Sequence, residues 1–359
     1  MDRVDVLVVG AGQAGLSAAY HLTRAGLRPG HGMVVLDAGE RPGGAWQHRW
    51  DGLTMAHAHG VHELPGMALP DVDPQERASA AVARYFAAYE AEFGLDVVRP
   101  VRVRRVREAT PDEGAGLLVV ETDRGTWLTR GLVNATGTWD KPFWPSYPGR
   151  ADFAGRQLHA HDYRTPDDVA GQHVVVVGGG TSAVQILLEI AEVTTTTWVA
   201  RREPIFAEAD FDEDARRAAV AKVEERTRAG LPPQSVVSVT GLPLTDANRK
   251  GLESGVLRRL PMFERIVPDG VVWAARDVPP APPHREAGVI LWATGYRPAL
   301  DHLAPLRLRC AGGGIVMDGT QVVGEPRVQL VGYGPTASTV GANRAGRTAV
   351  RNLRRLLGL

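Results

Sequence analysis

Residues 4–26 read VDVLVVGAGQAGLSAAYHLTRAG, and the architecture follows from them. VDVLVV is a short aliphatic run of the kind found in a sheet covered on both faces. AGLSAAYHLTRAG has helical spacing and closes on Gly26, a residue suited to a helix C-terminus. Between the two, GAGQAG sets Gly10, Gly12, Gln13 and Gly15 in a turn. Gly10 permits the tight bend, Gly12 lets the backbone approach a pyrophosphate, and Gly15 lets the helix lie close to the strand. The next strand, GMVVLDAGE, completes a βαβ unit, which implies a parallel sheet with a right-handed crossover. Asp37 stands at its end, about 20 residues beyond the glycines, where a carboxylate accepts hydrogen bonds from a ribose diol. Strand, turn, helix and acid together predict a dinucleotide cradle.

The pattern returns at residues 172–203, QHVVVVGGGTSAVQILLEIAEVTTTTWVARRE. Gly178, Gly180 and Ala183 take the three turn positions, alanine being small enough for the third. Thr181 and Ser182 open the helix, where they can bond a pyrophosphate. The acid at the end of the second strand is replaced by Arg201 and Arg202. A carboxylate there would repel a ribose 2′-phosphate, whereas guanidinium groups form forked, charge-assisted hydrogen bonds to it. Glu203 falls one residue too late for the ribose-acid role and leaves some NADH use open. The acid-ended cradle therefore suits FAD and the arginine-ended one NADPH, an arrangement for passing a hydride from nicotinamide to flavin.

Other segments fit around these two units. Residues 78–93 have the spacing of an amphipathic helix ending at Gly94, and 97–137 alternate as antiparallel or edge strands. LVNATGTWDKP (132–142) is echoed by VILWATGYRP (289–298), as though each unit ends in an apolar strand and an Ala-Thr-Gly turn. Residues 204–268 are mostly polar and partly helical. The expected fold is α/β with two Rossmann-like dinucleotide-binding domains. The FAD domain comprises residues 1–165 and 290–359, and the NADPH domain, residues 166–289, is inserted into it.

Bulk properties narrow the function. The 359 residues carry 41 basic and 41 acidic side chains, which gives no electrostatic reason to expect nucleic acid or an anionic membrane as partner. At 44% hydrophobic and 23% charged residues the composition is that of a globular protein. No apolar run approaches the ~18 residues of a membrane span, and Met1-Asp2-Arg3 leads straight into a strand, so a cytoplasmic protein is expected. A homodimer is the base-rate expectation for assembly. Cys310 is the one cysteine, which excludes an intrachain disulfide or dithiol redox centre and reads as a small packing residue.

With these motifs in place, the chain resembles the class B flavoprotein monooxygenases, and more narrowly the short bacterial flavin-containing monooxygenases related to the Baeyer–Villiger enzymes. GAGQAG, GGAWQHRW, GTWDKP, GGGTSAVQI, ATGYRP and VGYG occur in family order over nearly the whole chain. The identifying pattern F-x-G-x-x-x-H-x-x-x-W reads FAGRQLHAHDY, matched at Phe153, Gly155 and His159, with Tyr163 in place of tryptophan. The resemblance implies that NADPH reduces FAD and that dioxygen then forms a C4a-(hydro)peroxyflavin. That adduct transfers one oxygen atom to a small thioether, amine or ketone. The resemblance also implies that Gly43, Gly44 and Trp46 line the flavin, and that Thr136 and Gly137 lie where the chain crosses near it. Thr294, Gly295 and Gly334 join the cofactor-binding set, Thr339 heads a helix facing the flavin N1–C2=O edge, and His159 has a linker role.

The segment WDGLTMAHAHGVHELPG (50–66) departs from the family, which usually carries a small polar motif here. His57 and His59 are candidates to position or protonate the reacting group, with backbone-bonded loop histidines as the equal alternative. With His62 they lack metal-ligand spacing, so no metal is expected. A flavin-dependent NADPH dehydrogenase or oxidase, and a nucleotide-binding sensor without turnover, remain as alternative functions.

Overall fold

The computed structural model describes residues 1–58, 60–207, 213–233, 241–337 and 339–359; within these, the side chains of 213–217, 219, 339 and 340 are left out of the description. His59 lies outside the described residues.

Two mainly parallel sheets organise the chain. In the first, Asp2–Val9 lies between Met33–Leu36 and Gly125–Asn134, parallel to both. Val6, Leu7 and Val8 are fully buried, as expected of a central strand. Burying one such side chain contributes roughly 1.5–3 kcal/mol. The ten-residue strand Gly125–Asn134 serves two partners along one edge. Its first half pairs antiparallel with Leu118–Thr122, which pairs with Val103–Glu108, and its second half runs parallel to Glu325–Leu330. The predicted antiparallel region is thus a meander grafted onto the parallel sheet. The sequence alternates over the meander, but Leu132–Asn134 is buried on both faces, and that segment belongs to the main sheet.

Helix Gln13–Arg24 covers one face together with Ala78–Glu92 and the terminal helix Thr339–Leu357. The terminal helix sits so close that a Cβ on Gly346 would come 2.5 Å from Ser17 Oγ. The expected helix after the Gly334–Pro335 turn begins with a 3-10 turn, Gly334–Thr336, and the α-helix follows from Thr339.

The second sheet orders Arg259–Leu260, Thr196–Val199, Val174–Val177, Val289–Trp292 and Arg156–His159, all parallel. Helix Thr181–Ala191 follows its central glycine turn. A three-stranded antiparallel sheet, Arg265–Val267, Gly270–Val272 and His284–Glu286, packs beside it. Helices Glu213–Arg228 and Asp246–Glu253 supply the helicity expected between residues 204 and 268. Among the described residues, no helix is long and apolar enough to cross a membrane.

Candidate functional site: two nucleotide cradles and the crossing between them

The two glycine turns are built alike. Gly10 has φ +100°, and a Cβ there would lie 2.6 Å from the Ala135 carbonyl oxygen; Gly178 has φ +152°, and a Cβ would lie 2.2 Å from that of Ala293. In each unit the first glycine N–H donates to the last carbonyl of the neighbouring strand, Leu36 or Val199. The alanines that crowd these glycines belong to the two Ala-Thr-Gly turns, so the echo in the sequence is one repeated contact. Gly12 and Gly180 cap their helices with extended backbone and no side-chain hydrogen bond. The first-turn N–H groups are thereby left to an anion. Gly44 reinforces the first cradle: a Cβ on it would come 2.8 Å from Gly12 Cα.

The strand ends differ in charge, as the sequence predicts. Asp37 accepts hydrogen bonds from Ala11 N–H (2.6 Å) and Gly39 N–H (2.8 Å) through different oxygens. It therefore fixes the turn while each oxygen keeps a second lone pair. Arg201 and Arg202 are exposed and have no ion-pair or hydrogen-bond partner among the described residues. Glu203, the acid that could have opposed a phosphate, is instead held by Arg259 Nε at 2.5 Å. Thr181 and Ser182 sit half-buried at the start of the second helix. Gln13 ties the first turn to His62 O and Asn343 Oδ1, both at 3.2 Å.

The chain passes twice between the two units, and the two passages bond to each other. Thr136 Oγ1 donates to Ala299 O (2.7 Å), and Thr294 Oγ1 donates to Phe143 O. Main-chain bonds from Phe143 to Gly295, Arg297 to Lys141 and Ala299 to Gly137 complete a short ladder. Both threonine hydroxyls are thus engaged in joining the passages. Gly137 and Gly295, at φ +60° and +78°, leave open space where a Cβ would be. Asn134 links to this ladder by donating to Thr136 Oγ1 (3.0 Å), while His302 Nε2 lies 2.6 Å from Asn134 Oδ1. Burial lowers the His302 pKa to about 4. The ring is therefore neutral, with its proton on Nε2.

At this crossing, aromatic rings gather around one guanidinium. Arg49 lies over Trp46 (5.5 Å) and Trp139 (5.1 Å). Trp139 stacks on Tyr296 at 5.3 Å and on His48 at 5.9 Å. Burial pulls the Arg49 pKa below its ordinary value, opposed by Tyr296, whose own pKa burial pushes up to about 12. Arg49 Nε is fully enclosed without a hydrogen-bond partner. Two cation–π contacts return roughly 0.5–2 kcal/mol each and partly offset the desolvation of the enclosed Nε. His159 is buried beside this group; His161 N–H donates to its Nδ1 (3.0 Å), which puts its proton on Nε2, and burial lowers its pKa to about 4. The linker role expected of His159 suits a neutral, backbone-bonded ring.

The histidine loop is different. His57 is exposed, with Nδ1 at 3.0 Å from Thr54 Oγ1 and its carbonyl accepting from Gln185 Nε2 (2.9 Å) of the second unit. Its main chain thus ties the units together and its ring faces solvent. Among the described residues no cluster of His, Cys, Asp or Glu could hold a metal. Gly334, at φ +59°, approaches Thr227 so closely that a Cβ would lie 2.8 Å from its methyl group. Thr339 heads the terminal helix. Cys310 Sγ contacts Gly230 O at 3.1 Å, a packing contact.

Two functional candidates were not apparent from the sequence. One is Arg49, signalled only by its place in WQHRW. The other is Glu189, a lone acid in the apolar helix segment ILLEIA. Its Oε1 lies where a Cβ on Gly52 would sit, at 2.1 Å; Trp50 faces it across the unit boundary, and Tyr163 faces it from the second unit's own core. Burial raises its pKa to about 7, aided by Glu192 and Asp51 and opposed by Tyr163 and Trp50.

Known proteins share this fold and part of the sequence. The pyridine nucleotide-disulphide oxidoreductase family profile matches residues 7–230. A solved flavin-containing monooxygenase from Stenotrophomonas maltophilia is 36% identical with TM-score 0.82, covering 99% of this chain and 100% of that one. The rice indole-3-pyruvate monooxygenase YUCCA1 is 33% identical over 186 residues, 51% of this chain and 44% of that protein. This chain spans about half the length of the curated relatives it matches. The OTEMO structure with FAD and NADP, 18% identical with TM-score 0.65 over 99% of this chain and 84% of that one, shares the fold. The chain belongs to the pyridine nucleotide-disulphide oxidoreductase family and, within it, to the class B flavin monooxygenases.

Proposed function

We propose that this chain binds FAD in the Gly10–Gly15 cradle and NADPH in the Gly178–Ala183 cradle, and inserts one oxygen atom of O2 into a small thioether, amine or ketone. Its balance is NADPH, H⁺, O2 and substrate giving NADP⁺, water and oxygenated substrate. In this reading the FAD unit is built on the sheet of Asp2–Val9 and the inserted NADPH unit on the sheet of Val174–Val177. Because Arg156–His159 and Val289–Trp292 pair within that second sheet, the boundaries expected at 165/166 and 289/290 move to before Arg156 and after Trp292. The observation that carries it is the contrast at the strand ends. Asp37 keeps lone pairs for a ribose diol, while Arg201 and Arg202 have no partner among the described residues and the neighbouring Glu203 is held by Arg259. The residues fit both groups: each helix N-terminus is free of side-chain caps, and Gly12 and Gly180 leave the backbone approachable.

When bound, the flavin supplies the hydride acceptor and the oxygen chemistry. The protein's share is placement. Asp37 holds a ribose, the two helix N-termini hold pyrophosphates, and the bonded passages at Thr136–Phe143 and Thr294–Ala299 set the distance between the cradles. Gly44 and Trp46 line the flavin side, with the open backbone at Gly137 and Gly295 facing the crossing.

The test is oxygen-18 incorporation by the FAD-loaded protein with NADPH and thioanisole. One labelled oxygen should enter methyl phenyl sulfoxide for each NADPH consumed. NADPH consumption matched by hydrogen peroxide, without labelled sulfoxide or ester from a panel of thioethers and ketones, would replace this reading with an oxidase.

A further inference from the structure

Arg49 is a half-buried cation whose Nε is fully enclosed, with no anion beside it among the described residues. Among the described residues, none of its side-chain N–H groups has an acceptor and no carboxylate lies in ion-pair range. The charged groups around the crossing are otherwise engaged: Asp162 with His161 at 2.6 Å and Asp140 with Arg102 at 3.3 Å. Arg164 bonds the carbonyls of His48, His161 and Tyr163. An enclosed N–H of a charged group is ordinarily hydrogen-bonded, so an unpartnered guanidinium Nε at a crossing of two cofactor units points to an anion supplied from outside.

The surroundings define that anion. Each pyrophosphate already has a helix N-terminus, and a 2′-phosphate has Arg201 and Arg202. What remains at Arg49 is one guanidinium between indole faces at 5.5 and 5.1 Å, with Tyr296 stacked beyond Trp139. One guanidinium matches one carboxylate through a forked pair of hydrogen bonds, and the indoles offer flat apolar walls to a planar body. We propose that Arg49, walled by Trp46 and Trp139, anchors the carboxylate of a planar substrate, so that the site favours an acid-bearing thioether or ketone over its neutral counterpart. The binding rests on the proposed placement of the two coenzymes, and the reaction in addition on the monooxygenase reading.

The experiment compares 4-(methylthio)benzoate with thioanisole on the FAD-loaded protein. Affinity is read from the emission of the tryptophans flanking Arg49 and by calorimetry, and kcat/KM from sulfoxide formation. Wild type should prefer the acid. In Arg49→Met the acid-over-neutral ratio should fall about ten- to a hundredfold, the scale of a lost charge-assisted hydrogen-bond pair, with Arg49→Lys between. Equal affinity of wild type for both probes would overturn the proposal, and no folding defect can affect that arm. So would equal losses for acid and neutral probe, or a loss of FAD or NADPH affinity as large as the loss of acid affinity, which would give the guanidinium to a coenzyme phosphate. If only peroxide forms, the oxygenation reading fails while the binding comparison still decides the role of Arg49.

Discussion

Arg201 and Arg202 stand exposed beside Glu203, which Arg259 holds in an ion pair. Charge-assisted hydrogen bonds to a phosphate contribute about 1.5–3 kcal/mol. Replacing both arginines by alanine should raise the KM for NADPH about ten- to a hundredfold while changing kcat/KM for NADH by less than about threefold. Steady-state kinetics with the two coenzymes checks it, and equal losses would remove the phosphate role. The arginine pair was legible because its place is fixed by counting from the second glycine turn. The diversion of Glu203 was not, since Arg259 lies on another strand. Arg49 was hidden for the same reason: a local pattern reports the tryptophans beside it, whereas Trp139 and Tyr296 reach it only through the fold.

Glycines that look alike in the two turns have different duties. A Cβ on Gly15 would lie 1.8 Å from the Gly10 carbonyl oxygen, a backbone atom with nowhere to move, whereas a Cβ on Gly180 meets nothing within 4 Å. Gly15→Ala should therefore cost about 1–3 kcal/mol through overpacking and lower the melting temperature of the ligand-free protein. Gly180→Ala should leave that temperature nearly unchanged and weaken NADPH binding instead. Thermal melts with and without NADPH distinguish the two. Strand, turn and helix were readable from periodicity because both units bury their strands completely, as Val6–Val8 and Val174–Val176 show. The shared strand Gly125–Asn134 was read less well, because its two halves obey different rules: alternation beside the meander, full burial in the main sheet.

Across the whole molecule, the boundary between the units carries a titrating group. Glu189 of the second unit packs on Gly52 and faces Trp50 of the first, with its pKa raised to about 7 by burial. A folded-state value above the unfolded one means that the folded protein holds this proton more tightly. Stability is therefore greatest while the group is protonated in both states and declines as pH rises from the ordinary carboxylate range through about 7. Glu189→Gln should flatten the fall in melting temperature between weakly acidic and weakly alkaline pH, a difference of a few degrees in thermal melts. An unchanged slope would remove Glu189 from that role.

The two passages between the units make a reciprocal lock, each threonine bonded to a carbonyl of the other passage. Segments 136–143 and 294–299 consequently behave as a single hinge pin made of two pieces. A chimaera that takes one piece from a relative and keeps the other would inherit mismatched halves. Transplanting the inserted unit into another scaffold therefore requires cuts that carry both together.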